Sequence, residues 1–251
     1  MSDGFKISDK EGSGNLKIFL GYAPGVGKTY SMLNEANRRS KRGQDIVIGY
    51  LETHDREETE KQVSSLEVIP RKKINYNGIT MEEMDTDAII VRKPDIVLVD
   101  ELAHTNVPGA EYKKRYEDVQ KIIDHGINVI STLNIQHLES LNDVIKQITG
   151  VTVKETIPDK IVDSATEIVV VDITPNALQS RLKRGNIYKF ENIDRALKNF
   201  FRRGKNKGQG KKSDVFDFFA EKYERISSKS SHCPSSQKSR LGSWCVGSLF
   251  E

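Results

Sequence analysis

Ten residues, GYAPGVGKTY (21–30), hold the types and spacing from which chemistry is most readily read. Gly27-Lys28-Thr29 closes a phosphate-binding loop, whose usual form is glycine, four residues of any kind, then Gly-Lys-Ser/Thr. Counting back across four residues from Gly27 reaches Tyr22 instead of glycine, and Gly21 lies one residue too far upstream. Such a loop offers several backbone N–H groups to one polyanion, and glycines let the chain bend inward without Cβ clashes. It also opens a helix, whose N-terminus adds partial positive charge. The candidate nucleotide contacts are therefore Gly25, Val26, Gly27, Lys28, Thr29 and Tyr30. Lys28 would reach the β/γ phosphates and the Thr29 hydroxyl would ligand Mg2+. The bland alternative is a glycine-rich turn with an incidental lysine.

A second stretch points the same way. IVLVDE (96–101) is an apolar run ending in two carboxylates. Asp100 is the candidate partner of Thr29 on Mg2+, and Glu101 is the candidate catalytic residue, polarising an attacking water. Alone, Asp100 would be an ordinary turn residue; beside the Gly-Lys-Thr it argues for nucleotide. Three further strand ends are polar: Glu52 to Arg56, Leu102 to Asn106, and Asn134 to His137. His54, Arg56, His104 and Asn134 are candidate rim or γ-phosphate-sensing residues, with capping and turn chemistry as the alternative. The spacing of His54, His104 and His137 matches no metal motif.

These residues need a scaffold that brings several strand ends to one rim. Apolar β-branched runs alternate with helical segments, which predicts an α/β class with a mostly parallel sheet wrapped by helices. Strands are expected at 15–22, 45–53, 74–80 (weaker), 95–101, 127–134 and 167–173. The 95–101 run is the most apolar and is expected at the sheet centre. Helices are expected after Thr29, over 55–66, from Thr80 to before Pro94 (Thr80 and Glu83 having capping-box spacing), around 115–126 and along 138–148. Segments 175–184 and 190–203 also read as helical. The domain is placed at 15–203, after a flexible 1–14. Beyond Gly204, a glycine- and lysine-rich, aperiodic 204–251 reads as a basic tail, poorly structured.

Composition narrows the function classes. With 36% hydrophobic and 30% charged residues, the chain reads as globular and soluble. No apolar stretch approaches the length of a membrane span, and the N-terminus lacks the apolar core of a secretion signal. The two cysteines, Cys233 and Cys245, lie in the tail, which fits a cytoplasmic protein without a disulfide framework. The net charge of +3 is uneven: from Arg202 onward 11 Lys/Arg face 5 Asp/Glu, so the body is slightly acidic. No dedicated nucleic-acid surface is expected there.

GYAPGVGKTY, GYLETHDREET, IVLVDELAHTNVPG, KKRYEDV and INVISTLNIQHLESLNDVI together resemble the N-terminal cytoplasmic domain of the KdpD-type sensor histidine kinases. The resemblance runs from about Asn15 to Phe201, through TGVTVKETIPD, SATEIVVVDITP and RLKRGNIY. It implies that the longer loop is shared by the family. It also implies a three-layer P-loop NTPase-like fold and an ATP- and Mg2+-binding regulatory input domain of a two-component potassium- and osmosensing system. Gly27, Lys28, Thr29 and Asp100 carry over as nucleotide and magnesium contacts. The implied partner is a sensor-kinase transmitter or its response regulator, with membrane association only through a full-length sensor or partner. Universal-stress-like, transmembrane, phosphoacceptor and catalytic kinase modules are not recognisable here, so histidine autophosphorylation is not expected of this chain alone. The rival readings are a stand-alone ATPase or small-molecule kinase using Glu101, and an interaction module with a vestigial nucleotide site. Lys113, Lys114 and Arg115 read as a solvated face.

Overall fold

A computed structural model describes residues 12–54, 56–63, 65–149, 152–171, 173, 180 and 181. The expected helices at 175–184 and 190–203 and the tail at 204–251 lie outside these residues apart from 180 and 181, as does the N-terminal segment up to residue 11. Elements are numbered in chain order. Six strands form one sheet: β1 (Leu16–Gly21), β2 (Ile46–Tyr50), β3 (Glu67–Val68), β6 (Ile96–Val99), β7 (Asn128–Asn134) and β8 (Glu167–Val171). Their order is β3-β2-β6-β7-β1-β8, and every pairing is parallel. β6 is flanked on both sides, as its unbroken apolar sequence requires of a strand buried on both faces.

Side-chain alternation sends the strand residues into two cores. On one face Phe19, Ile46, Ile48, Leu98 and Ile130 pack with Met32, Leu33 and Ala36 of α1 (Lys28–Ser40). On the other, Ile18, Val47, Val97 and Val129 pack with Ile89 of α3 (Thr86–Arg92) and Val119, Ile122 and Ile123 of α4 (Arg115–Asp124). Helices thus cover both sheet faces. α2 is Glu57–Val63, shorter than the expected 55–66. The stretch expected as one helix over 138–148 begins instead as 3-10 turns at Ile135–His137 and Glu139–Leu141, then continues as α5 (Asn142–Thr149). A short α6 (Asp159–Asp163) precedes β8.

One region departs clearly from expectation. The 74–80 stretch is not a single strand but most of a hairpin, β4 (Lys72–Tyr76) and β5 (Ile79–Glu83), in a separate two-stranded sheet. Asn77 and Gly78 form its turn with φ of 50° and 78°, the double left-handed geometry that Asn-Gly favours between strands. Thr80 and Glu83 therefore lie in a strand, and their capping-box spacing starts no helix. The cap of α3 is Asp85, whose side chain accepts from the Ala88 N–H at 3.0 Å. Asp85→Ala should lower stability by about 1 kcal/mol through loss of that cap. In urea unfolding, Thr80→Ala should cost clearly less than Asp85→Ala.

Candidate functional site

The 21–30 loop leaves the carboxyl end of β1 and enters α1 directly. Gly25 and Gly27 have φ of 84° and 107°, a region closed to most side chains, and Gly27 is the residue before the helix. α1 has neither a side-chain cap nor an acidic residue in its first turn, so its first N–H groups are not covered by the helix's own sequence. Gly21 is required for a different reason: a Cβ there would meet Val26 Cγ2 at 2.6 Å and Lys28 Cδ at 2.8 Å. Gly21 makes room for the lysine stem, and Gly25 and Gly27 provide the bend.

Lys28 is 8% exposed and folds back over the loop. Its ammonium donates to the Ala23 carbonyl oxygen at 3.3 Å and to Asn134 Oδ1 at 2.5 Å, both neutral acceptors. Burial drives its pKa down to about 8, against the pull of Asp100. The next residue, Thr29, donates to Asp100 Oδ2 at 3.2 Å. Asp100 is 2% exposed; the Thr132 hydroxyl and the Glu101 N–H also donate to it. Burial raises the Asp100 pKa despite the Thr132 hydrogen bond. Lys28, Thr29, Asp100 and Asn134 thus come together from α1, β6 and β7, with Gly25, His54, Arg56, Glu101, His104, His137 and Glu155 lining the same pocket.

The remaining candidate residues divide. Val26 is buried, and Tyr30 is 40% exposed with its hydroxyl accepting from Gln62 Nε2 at 3.4 Å, outside the pocket lining. Glu101 has φ 55° and His54 has φ 52°, left-handed positions that cost a non-glycine residue about 1–2 kcal/mol each. Their side chains meet, His54 Nε2 to Glu101 Oε1, at 3.4 Å. This contact raises the His54 pKa and lowers that of Glu101. His104 lies between two carboxylates, Nε2 to Glu83 Oε2 at 3.3 Å and Nδ1 to Glu155 Oε1 at 3.6 Å. His137 donates from Nδ1 to the Glu155 carbonyl oxygen at 2.7 Å, and burial lowers its pKa.

The sequence reading missed a layer behind the pocket. Arg115 is not on a solvated face: it is fully buried. Its guanidinium donates to Glu83 Oε1 at 2.5 Å and to the Asp100 carbonyl oxygen at 3.3 Å, and lies 3.5 Å from the Tyr50 ring centroid. The signal was present, because Arg115, Val119 and Ile122 share one helix face at four- and three-residue spacing. Burial opposes ionisation of Glu83, but hydrogen bonds from His104, Arg115 and the Met84 N–H outweigh it and hold its pKa at about 2.

The fold and site define an α/β domain whose buried lysine and carboxylate meet a half-buried threonine at the carboxyl edge of a parallel sheet. Residues 12–207 match the family model described as KdpD, osmosensitive K+ channel His kinase sensor domain, and the chain belongs to that family. It is 56% identical over 191 residues to the sensor protein KdpD of Mycobacterium tuberculosis, covering 76% of this chain and 22% of that relative. It is 55% identical over 190 residues to the putative sensor protein KdpD of Synechocystis, covering 76% and 51%. It is 46% identical over 191 residues to the sensor protein KdpD of Escherichia coli K12, covering 76% and 21%. The match thus spans between about a fifth and a half of these relatives. Among the described residues, no helix is long and apolar enough to cross a membrane.

Glu83→Gln would leave Arg115 buried without its charge partner, so it should cost about 3–5 kcal/mol at pH 7. A folded-state pKa below the ordinary 4.5 gives stability that is present above pH 4.5 and lost as pH falls toward 2. In urea unfolding, the stability of wild type should fall more steeply across that window than the stability of Glu83→Gln.

Proposed function

We propose that this chain is an ATP- and Mg2+-binding regulatory domain of a potassium- and osmosensing two-component histidine kinase system, with a three-layer P-loop NTPase-like fold. The observation that carries the reading is the meeting of Lys28, Thr29 and Asp100 at the entry to α1. Burial drives both Lys28 and Asp100 toward their neutral forms. Such a pair gains from a ligand that brings a phosphate to the ammonium and a divalent cation to the carboxylate.

The residues fit that ligand. Thr29 and Asp100 are oxygen donors of the kind Mg2+ takes, and the glycine-bent loop supplies backbone N–H groups for phosphate. Mg2+ there would neutralise phosphate charge. Lys28 holds the polyanion, Asn134 orients the Lys28 ammonium, and His54 orients Glu101 toward the pocket. The relatives' names carry the sensor role, and the partner is a transmitter kinase or its response regulator, on the cytoplasmic side. Input from this domain depends on whether the loop is occupied.

A second reading, slow ATP hydrolysis, is favoured by one observation. Glu101 is held in a strained backbone position with its carboxylate paired to His54 in the pocket lining. Lys28→Ala should weaken Mg·ATP binding at least tenfold in calorimetric titration, since a charged phosphate contact contributes about 1.5–3 kcal/mol. Equal affinity for the two proteins would remove the loop from the account. Glu101→Gln should keep nucleotide affinity and abolish whatever phosphate release the wild type shows; undiminished release would exclude Glu101 as the base.

A further inference from the structure

Tyr22 occupies the position where a phosphate loop usually begins with glycine, and its side chain has a partner far along the chain. The Tyr22 hydroxyl donates to the carbonyl oxygen of Ile173 at 2.8 Å. That carbonyl lies just past β8, whose last residue, Val171, pairs with Gly21 immediately before Tyr22. A second contact closes on the same loop from the opposite chemical direction. Arg181 Nη1 donates to the carbonyl oxygen of Gly25 at 3.2 Å and lies 3.5 Å from that of Val26. Two side chains, one from the loop and one from the chain after β8, therefore tie the segments together at separations of 151 and 156 residues.

The peptide bonds involved are trans, so each carbonyl and the following N–H point to opposite sides of the peptide plane. With the guanidinium on the Gly25 and Val26 oxygens, the N–H groups of Val26 and Gly27 point away from Arg181. Among the described residues neither N–H has an acceptor. Arg181 itself is not part of the pocket lining. The cation is thus a brace on the outer side of the loop. It fixes two peptide planes whose N–H groups are left to an anion, and hydrogen bonding at a carbonyl strengthens the N–H donor of the same peptide.

We propose that Tyr22 and Arg181 form a two-point clasp that couples phosphate occupancy of the 22–29 loop to the docking of the chain that follows β8. The inference rests on the nucleotide-binding reading above and states how that site is reported to the rest of the polypeptide. Arg181 is a positioning residue, acting on phosphate through the loop peptides. Tyr22 gives the lengthened loop its own function: the residue in the place of the usual glycine is the handle by which the loop holds Ile173. Linkage makes the coupling reciprocal: if the clasp favours the anion-binding loop, the bound anion favours the clasp by the same factor.

Hydrogen exchange of the whole chain, with and without saturating Mg·ATP, tests this, using wild type, Tyr22→Phe, Arg181→Ala, Arg181→Lys and the double variant Tyr22→Phe/Arg181→Ala. In wild type, nucleotide should slow exchange in peptides over 22–30 and also in peptides over 168–181. In Tyr22→Phe and in Arg181→Ala the first effect should persist and the second should shrink, with loss in the double variant. Arg181→Ala should also weaken Mg·ATP about tenfold, within the usual range of coupling between sites, and Arg181→Lys should recover part of that loss. Undiminished slowing over 168–181 in the double variant overturns the clasp. So does slowing confined to 22–30 in wild type, which leaves nucleotide binding itself standing. No slowing at 22–30 in wild type, with no heat of binding, overturns the nucleotide reading and the clasp with it.

Discussion

A carboxylate that is 2% exposed must have its oxygens satisfied, and Asp100 draws donors from four places. The Thr29 hydroxyl comes from α1, the Thr132 hydroxyl from β7, the Glu101 N–H from its own chain, and the Glu52 N–H, at 3.5 Å, from the end of β2. These donors fix the rim of the sheet. They hold the first turn of α1 against the end of β6 and set where Lys28 begins. Thr132 also accepts from the Glu101 N–H at 3.2 Å, which holds the left-handed bend that turns the chain out of the strand. Much of the pocket's shape follows from keeping one buried carboxylate hydrogen-bonded.

The same atom group connects the rim to the rest of the fold. Arg115 donates to the carbonyl oxygen of Asp100 and to Glu83, and Glu83 closes the hairpin β4–β5 and contacts His104. A buried arginine is tolerable only with such partners, and Tyr50 adds its ring face on the other side. The hairpin thus lies outside the main sheet but is tied to the strand end that carries Asp100. On the proposed reading, charge arriving at the loop is felt within two side chains of the hairpin and, through Tyr22 and Arg181, within one side chain of the chain after β8.

Much of this was legible in the residues, for physical reasons. β1, β2, β6 and β7 are apolar because both faces of a parallel sheet are covered, so their positions and the polar residues at their ends could be read directly. Lys28, Thr29, Asp100 and Asn134 were named from sequence and come together at one rim. The hairpin was misread because 74–80 contains an Asn-Gly turn that was passed over in favour of a Thr80–Glu83 spacing; the strand pairing overrode the local helix signal. Arg115 was misread because a run of three basic residues suggests solvent, although its spacing to Val119 and Ile122 places it on the buried face. Ile173, which accepts from the Tyr22 hydroxyl, lies 151 residues away, and the Gly25 and Val26 carbonyls beside Arg181 lie 156 and 155 away, so no local pattern announces these contacts.

The central claim is that Lys28, Thr29 and Asp100 hold a magnesium-bound nucleotide. A crystal structure of the chain grown with Mg2+ and a non-hydrolysable ATP analogue tests it most directly. The account predicts phosphate density against the 25–29 N–H groups and the Lys28 ammonium, with the cation between the Thr29 hydroxyl and the Asp100 carboxylate. Nucleotide bound elsewhere, or a loop left empty at saturating analogue with Lys28 still on Asn134, would contradict it.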